Sequence, residues 1–276
     1  MEKQQLTSAG WGLECLAAGE SAQLSEQQTF DRLVIHLPHA ATTGLDWPVF
    51  SGWPQDEGFR RLVNHWTDVA TDRLFGLPTA TELAENEQLA ALQPHLRAVQ
   101  FPLSRFVADV ERLPDDPLER EGQGVVYRHY EGYERQVSAL QDAMLRQLHA
   151  CHLEQVRQQL APHCLLVDCH SFPAELSDVD ICIGVNDDWS RPSDAALQAV
   201  VRHFRRAGYS VGINTPYANA LSPLAPFPYV SLMIELNKRI YLRTDTEPDA
   251  KRCQSLRRLI LGLYQQLTGM GDSGIS

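Results

Sequence analysis

The chain has 276 residues, 43% of them hydrophobic and 21% charged, and 24 Lys+Arg against 35 Asp+Glu give a net charge of −11. That composition supplies a sizeable apolar core. It argues against a nucleic-acid or anionic-membrane partner, because the chain is acidic and holds no Lys/Arg block. No apolar run reaches the ~20 residues needed to span a bilayer. Residues 1–14 lack the basic start and apolar middle of a signal peptide, so a cytoplasmic protein is expected.

In chain order, Arg32 to Leu37 is a short β-branched and apolar run ending at Pro38, the pattern of a buried strand followed by a loop. Asp56 to Leu74 places Phe59, Leu62, Val63, Trp66 and Val69 at helical spacing and predicts one helix. Arg97 to Phe101 predicts a short strand. Arg128 to Leu160 predicts a long helix whose buried stripe is Val137, Leu140, Met144, Leu148 and Cys151. Leu165 to Val167 is an apolar run leading into Asp168-Cys169-His170-Ser171. Val179 to Gly184 alternates as a strand does. Asp194 to Arg206 predicts a helix capped at Gly208. Tyr229 to Leu236 predicts a strand with Glu235 near its end, and Glu247 to Leu267 predicts a closing helix. Strands and helices alternate with no repeat or linker, which predicts a single α/β domain with a core over about 30–270. The fold class is a three-layer α/β/α sandwich on a mostly parallel mixed sheet. The six cysteines, at 15, 151, 164, 169, 182 and 253, form no Cys-x-x-Cys pair, so reduced thiols are expected and a cysteine zinc site is not.

Sites in such sheets gather at the C-terminal ends of strands. Three polar signals fall there: His39, Asp168-Cys169-His170-Ser171 and Glu235. A buried strand ending in polar groups requires partners for them. Asp168 and His170 share a face, because the strand period is two. One reading makes His170 a metal ligand oriented by Asp168; the other is a His–Asp hydrogen bond that closes the sheet end. Two histidines and one carboxylate make the three-ligand, open-position site of catalytic zinc. Asp68 and Asp72 both offer that carboxylate, four residues apart on one face of the predicted helix; a solvated acidic face reads equally from the pattern. Glu235, closing an apolar strand, is expected to be desolvated and suited to proton transfer, against an ion pair with Lys238 or Arg239. In the charge-alternating segment 104–112, Arg105 and Arg112 are natural clamps for a carboxylate or polarised carbonyl, against a surface salt-bridge network. A serine hydrolase built on Ser171, His170 and Asp168 is disfavoured: three triad members in four residues cannot align as nucleophile, base and orienter. A non-catalytic ligand-binding domain stands as a rival of another class.

Taken together, these segments resemble the N-formylglutamate amidohydrolase family over about residues 32–243. The resemblance rests on Pro38-His39, Thr67-Asp68 through Asp72-Arg73-Leu74-Phe75, the segment Ser104 to Arg112, Asp168-Cys169-His170-Ser171, Asn214-Thr215-Pro216-Tyr217 and Glu235-Leu236-Asn237-Lys238-Arg239. It implies a fold akin to zinc carboxypeptidases and their phosphorylase/hydrolase relatives. It also implies a metal-dependent hydrolase acting on a small N-acyl amino acid or short peptide. On that resemblance His39, Asp68 and His170 hold one zinc ion, or another divalent metal, and Glu235 is general base and acid. Arg105 supports the oxyanion, and Arg112, Asn214 and Tyr217 bind substrate. Asp168 and Ser171 orient His170. Two departures fall on the substrate side. Glu111 stands where the family has Asn, and residues 218–223 replace a glycine-rich segment. The expectation is therefore firmer for a metallohydrolase than for N-formylglutamate as its substrate; a carboxypeptidase-like or other N-acyl amide hydrolase keeps the same chemistry.

Overall fold

Side-chain alternation along the strands divides the molecule into two packing faces. In a computed structural model, residues 28–50, 52–113 and 116–270 are described. Strand β1 (Arg32–Leu37) is followed by helices α1 (Glu57–Trp66), α2 (Thr71–Phe75), α3 (Ala80–Glu85) and α4 (Glu87–Leu92), then by β2 (Leu96–Gln100). A small hairpin of β3 (His129–Tyr130) and β4 (Tyr133–Glu134) precedes α5 (Ala139–Gln159) and β5 (Cys164–Phe172). Strand β6 (Ile181–Gly184), helix α6 (Asp194–Arg206), and strands β7 (Val211–Ile213) and β8 (Val230–Asn237) follow. The pair β9 (Leu242–Thr244) and β10 (Glu247–Pro248) leads into α7 (Ala250–Leu267).

The central sheet has six strands in the order β2-β1-β5-β8-β6-β7. The first four are mutually parallel, β6 runs antiparallel to β8, and β7 is parallel to β6. On one face Leu33, Ile35 and Leu37 of β1, Leu165, Val167 and Cys169 of β5, and Leu232, Ile234 and Leu236 of β8 pack against α2, α4, α6 and α7. On the other, Val34 and Leu166 meet Leu153 and Val156 of α5. This is the three-layer α/β/α arrangement, with helices on both faces as a mainly parallel sheet requires. All nine residues of β5 are buried. The residues that alternate with its apolar positions, Asp168 and His170, therefore stand on the α5 face at its C-terminal end.

The structure corrects three sequence expectations. The single helix over 56–74 is two helices. Helix α1 ends at the C-cap Thr67, whose hydroxyl turns back to the Val63 carbonyl at 2.7 Å, and Ala70 takes a left-handed φ of 64° before α2 begins. Asp68 lies in this break, and its backbone N–H donates to the His39 carbonyl at 3.0 Å. Asp68 and Asp72 are thus not on one helix face. The helix expected from 128 starts at Ala139, where Ser138 and Gln141 form a capping box. Before it, Glu131 and Gly132 hold the positive φ values that a tight hairpin turn requires. Its buried stripe is Leu145, His149, His152, Leu153 and Val156, whereas Leu140 and Met144 are 72% and 40% exposed. The buried face includes two histidines, which a purely apolar pattern passes over. Helix α6 spans the expected residues, and Gly208 follows it with φ 92°. Cys15 lies outside the described residues; the other five cysteines are free thiols. Among the described residues, no helix is long and apolar enough to cross a membrane.

Candidate active site

Strand register assembles the site. His36 of β1 lies beside Asp168 of β5, and His170 of β5 lies beside Glu235 of β8. Glu235 is in turn level with Cys182 of β6. His39 follows β1 directly, and the break after α1 delivers Asp68. His39, Asp68, Asp109, Asp168, His170 and Glu235 are all buried, none more than 7% exposed.

The His39 and His170 rings face one another with centroids 5.0 Å apart. His39 Nε2 is held by Asp109 Oδ1 at 2.8 Å. Its Nδ1 is buried without a hydrogen-bond partner and lies 3.8 Å from Asp68 Oδ2. His170 Nδ1 is 3.2 Å from the same Asp68 oxygen. His170 Nε2 is 3.0 Å from Asp168 Oδ1, close enough for an ion pair but without hydrogen-bond alignment. Glu111 approaches from the other edge, with its carboxylate oxygens 4.0 Å from His39 Nε2 and 3.9 Å from His170 Nε2. His39, Glu111 and His170 each offer one ligand atom, all within 4.8 Å of one another, a group that could hold a metal ion. The orphaned His39 Nδ1 and the two flanking carboxylates are what a cation site needs: neutral imidazole, anionic oxygen and no competing hydrogen bond.

Burial sets the charge states, and neighbours modify them. Burial, with Arg105 nearby, lowers the His39 pKa and keeps the ring neutral. Burial also opposes ionisation of Asp68, but the hydrogen bond and charge of His170 outweigh it and hold Asp68 below its ordinary value. Asp109 is likewise buried, yet Arg105 and His39 keep it well below the usual carboxylate range. Against its own burial, His170 is raised well above an ordinary histidine by Asp168, Glu111 and Asp68. Glu235 is pushed up to about 8, by burial first and then by Asp68 and Glu111, against the pull of His170 and Arg105. One of its carboxyl oxygens, Oε2, has no hydrogen-bond partner.

Of the other residues singled out in the sequence, Arg105 joins the site. Its guanidinium donates to Asp109 Oδ2 at 3.0 Å and to the Tyr127 hydroxyl at 3.2 Å, and its Nε is buried and unpartnered. Arg112 lies between Asp109 at 3.7 Å and Asp116 at 3.4 Å. It lines a cavity with Glu111, Asp187 and residues 218–222. Tyr217 sits edge-on to Phe172, and burial followed by the Glu235 charge raises its hydroxyl pKa. Ser171 donates to Asp68 Oδ1 at 3.2 Å, so it orients Asp68 rather than His170. Asn214 is not brought to the site: both ends of its amide are bound to the backbone of Val185. Asp72 lines a separate cavity with Glu82 and Arg257.

Sequence reasoning missed several participants. Asp109 gathers His39, Arg105 and the Tyr127 hydroxyl around one carboxylate, and also accepts the Glu111 N–H at 3.2 Å. Its place three residues before Arg112 and four after Arg105 was the available signal. Lys238, read only as a partner for Glu235, is 3% exposed and donates to the His65 carbonyl, with its charge felt by Asp68.

The model of one protein family, N-formylglutamate amidohydrolase, matches residues 31–242. Among solved structures, that of N-formylglutamate amidohydrolase from Ralstonia eutropha JMP134 aligns with a TM-score of 0.64 at 20% identity, covering 91% of this chain and 97% of that chain. No curated protein sequence matches. The family match spans most of the chain, and it includes His39, Asp68, Arg105, Asp109, Glu111, Asp168, His170 and Glu235. The chain belongs to the N-formylglutamate amidohydrolase family.

Proposed function

We propose that this protein is a metal-dependent amidohydrolase that removes the acyl group, formyl in the simplest case, from the nitrogen of an amino acid. The observation that carries this reading is the buried pair His39 and His170, converging on Asp68, with Glu235 in register beside His170 on the next strand. His39 points its free nitrogen toward Asp68, while its other nitrogen is engaged by Asp109. On that ground Asp68, rather than Glu111, is assigned as the carboxylate ligand beside the two histidines. A divalent ion bound there, zinc being the best fit to two imidazoles and a carboxylate, supplies Lewis acidity to the scissile carbonyl and to the attacking water.

The chain's own residues do the rest. Glu235 accepts the proton of the attacking water at its unpartnered oxygen and delivers it to the departing amine. Burial raises its pKa in the metal-free site, and a bound dication would favour the ionised form that accepts the proton. Arg105 is held in place by Asp109 and Tyr127, so its unpartnered Nε is pre-oriented toward the carbonyl oxygen or the substrate carboxylate. Asp109 holds the outer nitrogen of His39 by a hydrogen bond, and Asp168 stands against the outer nitrogen of His170 at ion-pair distance, which restrains both rings. Arg112 lines the cavity beside Glu111.

Glu111 favours a second reading of the substrate side. It faces the cavity that Arg112 lines, and Arg112 is already neutralised by Asp109 and Asp116. An N-acyl amino acid without an acidic side chain meets less repulsion there than N-formylglutamate does. The test is metal analysis together with release of formate or free amine over a panel of N-acyl amino acids, for wild type and Glu235→Gln. Expected is about one equivalent of metal in both proteins and turnover in wild type alone. Fewer than ~0.2 equivalents after zinc reconstitution would refute the metal reading. Equal turnover in the two proteins would refute the role of Glu235.

A further inference from the structure

Behind Asp168, on the side away from His170, two more imidazoles continue the line of polar contacts. His36 Nδ1 lies 2.7 Å from Asp168 Oδ1, and His36 Nε2 lies 2.9 Å from Nε2 of His152 on α5. His36 is fully buried and His152 is 3% exposed, with Phe101 edge-on to the His152 ring at 5.2 Å. The second oxygen of Asp168 accepts the Leu221 N–H at 3.0 Å. From α5 to the candidate metal site the contacts therefore run His152, His36, Asp168, His170, without a break.

The protons along this line are set by elimination. Both Asp168 oxygens face donors, Oδ1 the His36 Nδ1 and Oδ2 the Leu221 N–H, so Asp168 acts as an acceptor on this side. His36 then donates from Nδ1, and the Nδ1–H tautomer leaves its Nε2 as an acceptor. Two ring nitrogens 2.9 Å apart form a hydrogen bond only if one of them holds a proton. The donor is then His152 Nε2. Burial pushes the His152 pKa down to about 3, which keeps that ring neutral with one proton to place. An apolar residue at 152 would fill the same space but leave the acceptor on His36 unsatisfied, freeing His36 to turn and Asp168 with it.

We propose that His152, acting through His36 and Asp168, is a positioning residue that fixes the His170 ring for metal binding, so that α5 takes part in the site without touching it. This rests on the metal reading given above. It also accounts for the two histidines on the buried stripe of α5: His149 Nε2 anchors the Arg112 carbonyl at 2.6 Å, one turn before His152 reaches His36.

The test compares zinc affinity, by competition with a chromogenic chelator, in wild type, His152→Phe and His152→Gln, each prepared metal-free. Phenylalanine keeps the packing on Phe101 and removes the donor; the glutamine amide keeps a donor for His36. His152→Phe is expected to weaken zinc binding ~10–100-fold and His152→Gln to recover to within about threefold of wild type. A His152→Phe affinity within about threefold of wild type, or a glutamine variant as weak as the phenylalanine one, would overturn the proposal. Nitrogen-15 spectra of the wild-type histidines decide it without any variant. They are expected to show His36 protonated on Nδ1 and His152 on Nε2, and the reverse pattern on His36 would overturn the assignment even if His152→Phe does not fold. Absence of zinc binding by wild type would remove the metal reading and this proposal together, whereas unchanged affinity in a folded His152→Phe removes the proposal alone.

Discussion

Glu235→Gln makes a prediction about stability that is independent of turnover. In the metal-free protein Glu235 is raised from 4.5 to about 8. A carboxyl group with a raised folded-state pKa binds its proton more tightly folded than unfolded. Its contribution to stability is complete below 4.5 and is lost as pH rises toward 8. At ~1.4 kcal/mol per pKa unit the full effect is roughly 5 kcal/mol. Glutamine has the shape of the neutral acid and does not titrate. The variant should therefore match wild type near pH 4.5 and exceed it by roughly 3 kcal/mol at pH 7. The assay is urea unfolding with excess chelator at pH 5, 6, 7 and 8, compared as the difference between the two proteins so that the titrations of groups remote from Glu235 cancel. The urea dependence should be unchanged, so that a midpoint shift reports stability alone. With saturating zinc the difference should shrink, because a dication beside Glu235 favours the ionised form. Parallel pH profiles for wild type and variant without metal would refute the reasoning: Glu235 would then be no more desolvated when folded than when unfolded.

Three further outcomes follow from the geometry. Asp68→Asn should lower zinc affinity at least ~100-fold, and Glu111→Gln by less than ~10-fold, by the same chelator competition; the opposite ranking would make Glu111 the carboxylate ligand. Arg105→Lys should reduce kcat/KM ~100-fold while zinc stays stoichiometric, because a single ammonium cannot hold Asp109 and Tyr127 and also face the substrate; steady-state kinetics with metal analysis checks it. Zinc binding near pH 7 should release protons, since His170 is held charged and Glu235 neutral in the metal-free site. Calorimetry in buffers of different ionisation enthalpy counts them, and zero released protons would contradict those charge states.

The strand ends were legible because a period of two is unambiguous in so apolar a setting: the β5 pattern fixes Asp168 and His170 on one face, and Glu235 stands out at the end of β8. The break that presents Asp68 was not legible. Its left-handed residue is Ala70 rather than a glycine, and the apolar spacing runs through Val69 without interruption. The face of α5 was misread because His149 and His152 are polar by composition yet buried by their partners, and those partners, Arg112 and His36, are 37 and 116 residues away. The reversal at β6 depends on loop paths that no local pattern encodes. Arg105 and Arg112 were identified as clamps, but Asp109, which restrains both, was passed over as one charge among several.

The acidic balance of the chain takes a specific form at this site. Without metal, the carboxylates of Asp68, Asp109, Glu111, Asp116 and Asp168 stand against Arg105, Arg112, Lys238 and a charged His170, while Glu235 stays protonated. Five negative groups meet four positive ones, so the site is within one charge of neutral, as low-dielectric surroundings favour. Removing the protons of His170 and Glu235 leaves six carboxylates against three cations, an excess of three negative charges. A divalent ion would offset most of that excess. The raised pKa values of His170 and Glu235 and the site's suitability for a dication thus have the same origin: the carboxylates outnumber the fixed cations. On the substrate side the same count works against a second acidic group, because Asp109 and Asp116 already engage Arg112 and Glu111 stands beside it. The positive charge still available to a substrate carboxylate lies with Arg105, at its unpartnered Nε, and, on the proposed reading, with a bound divalent ion.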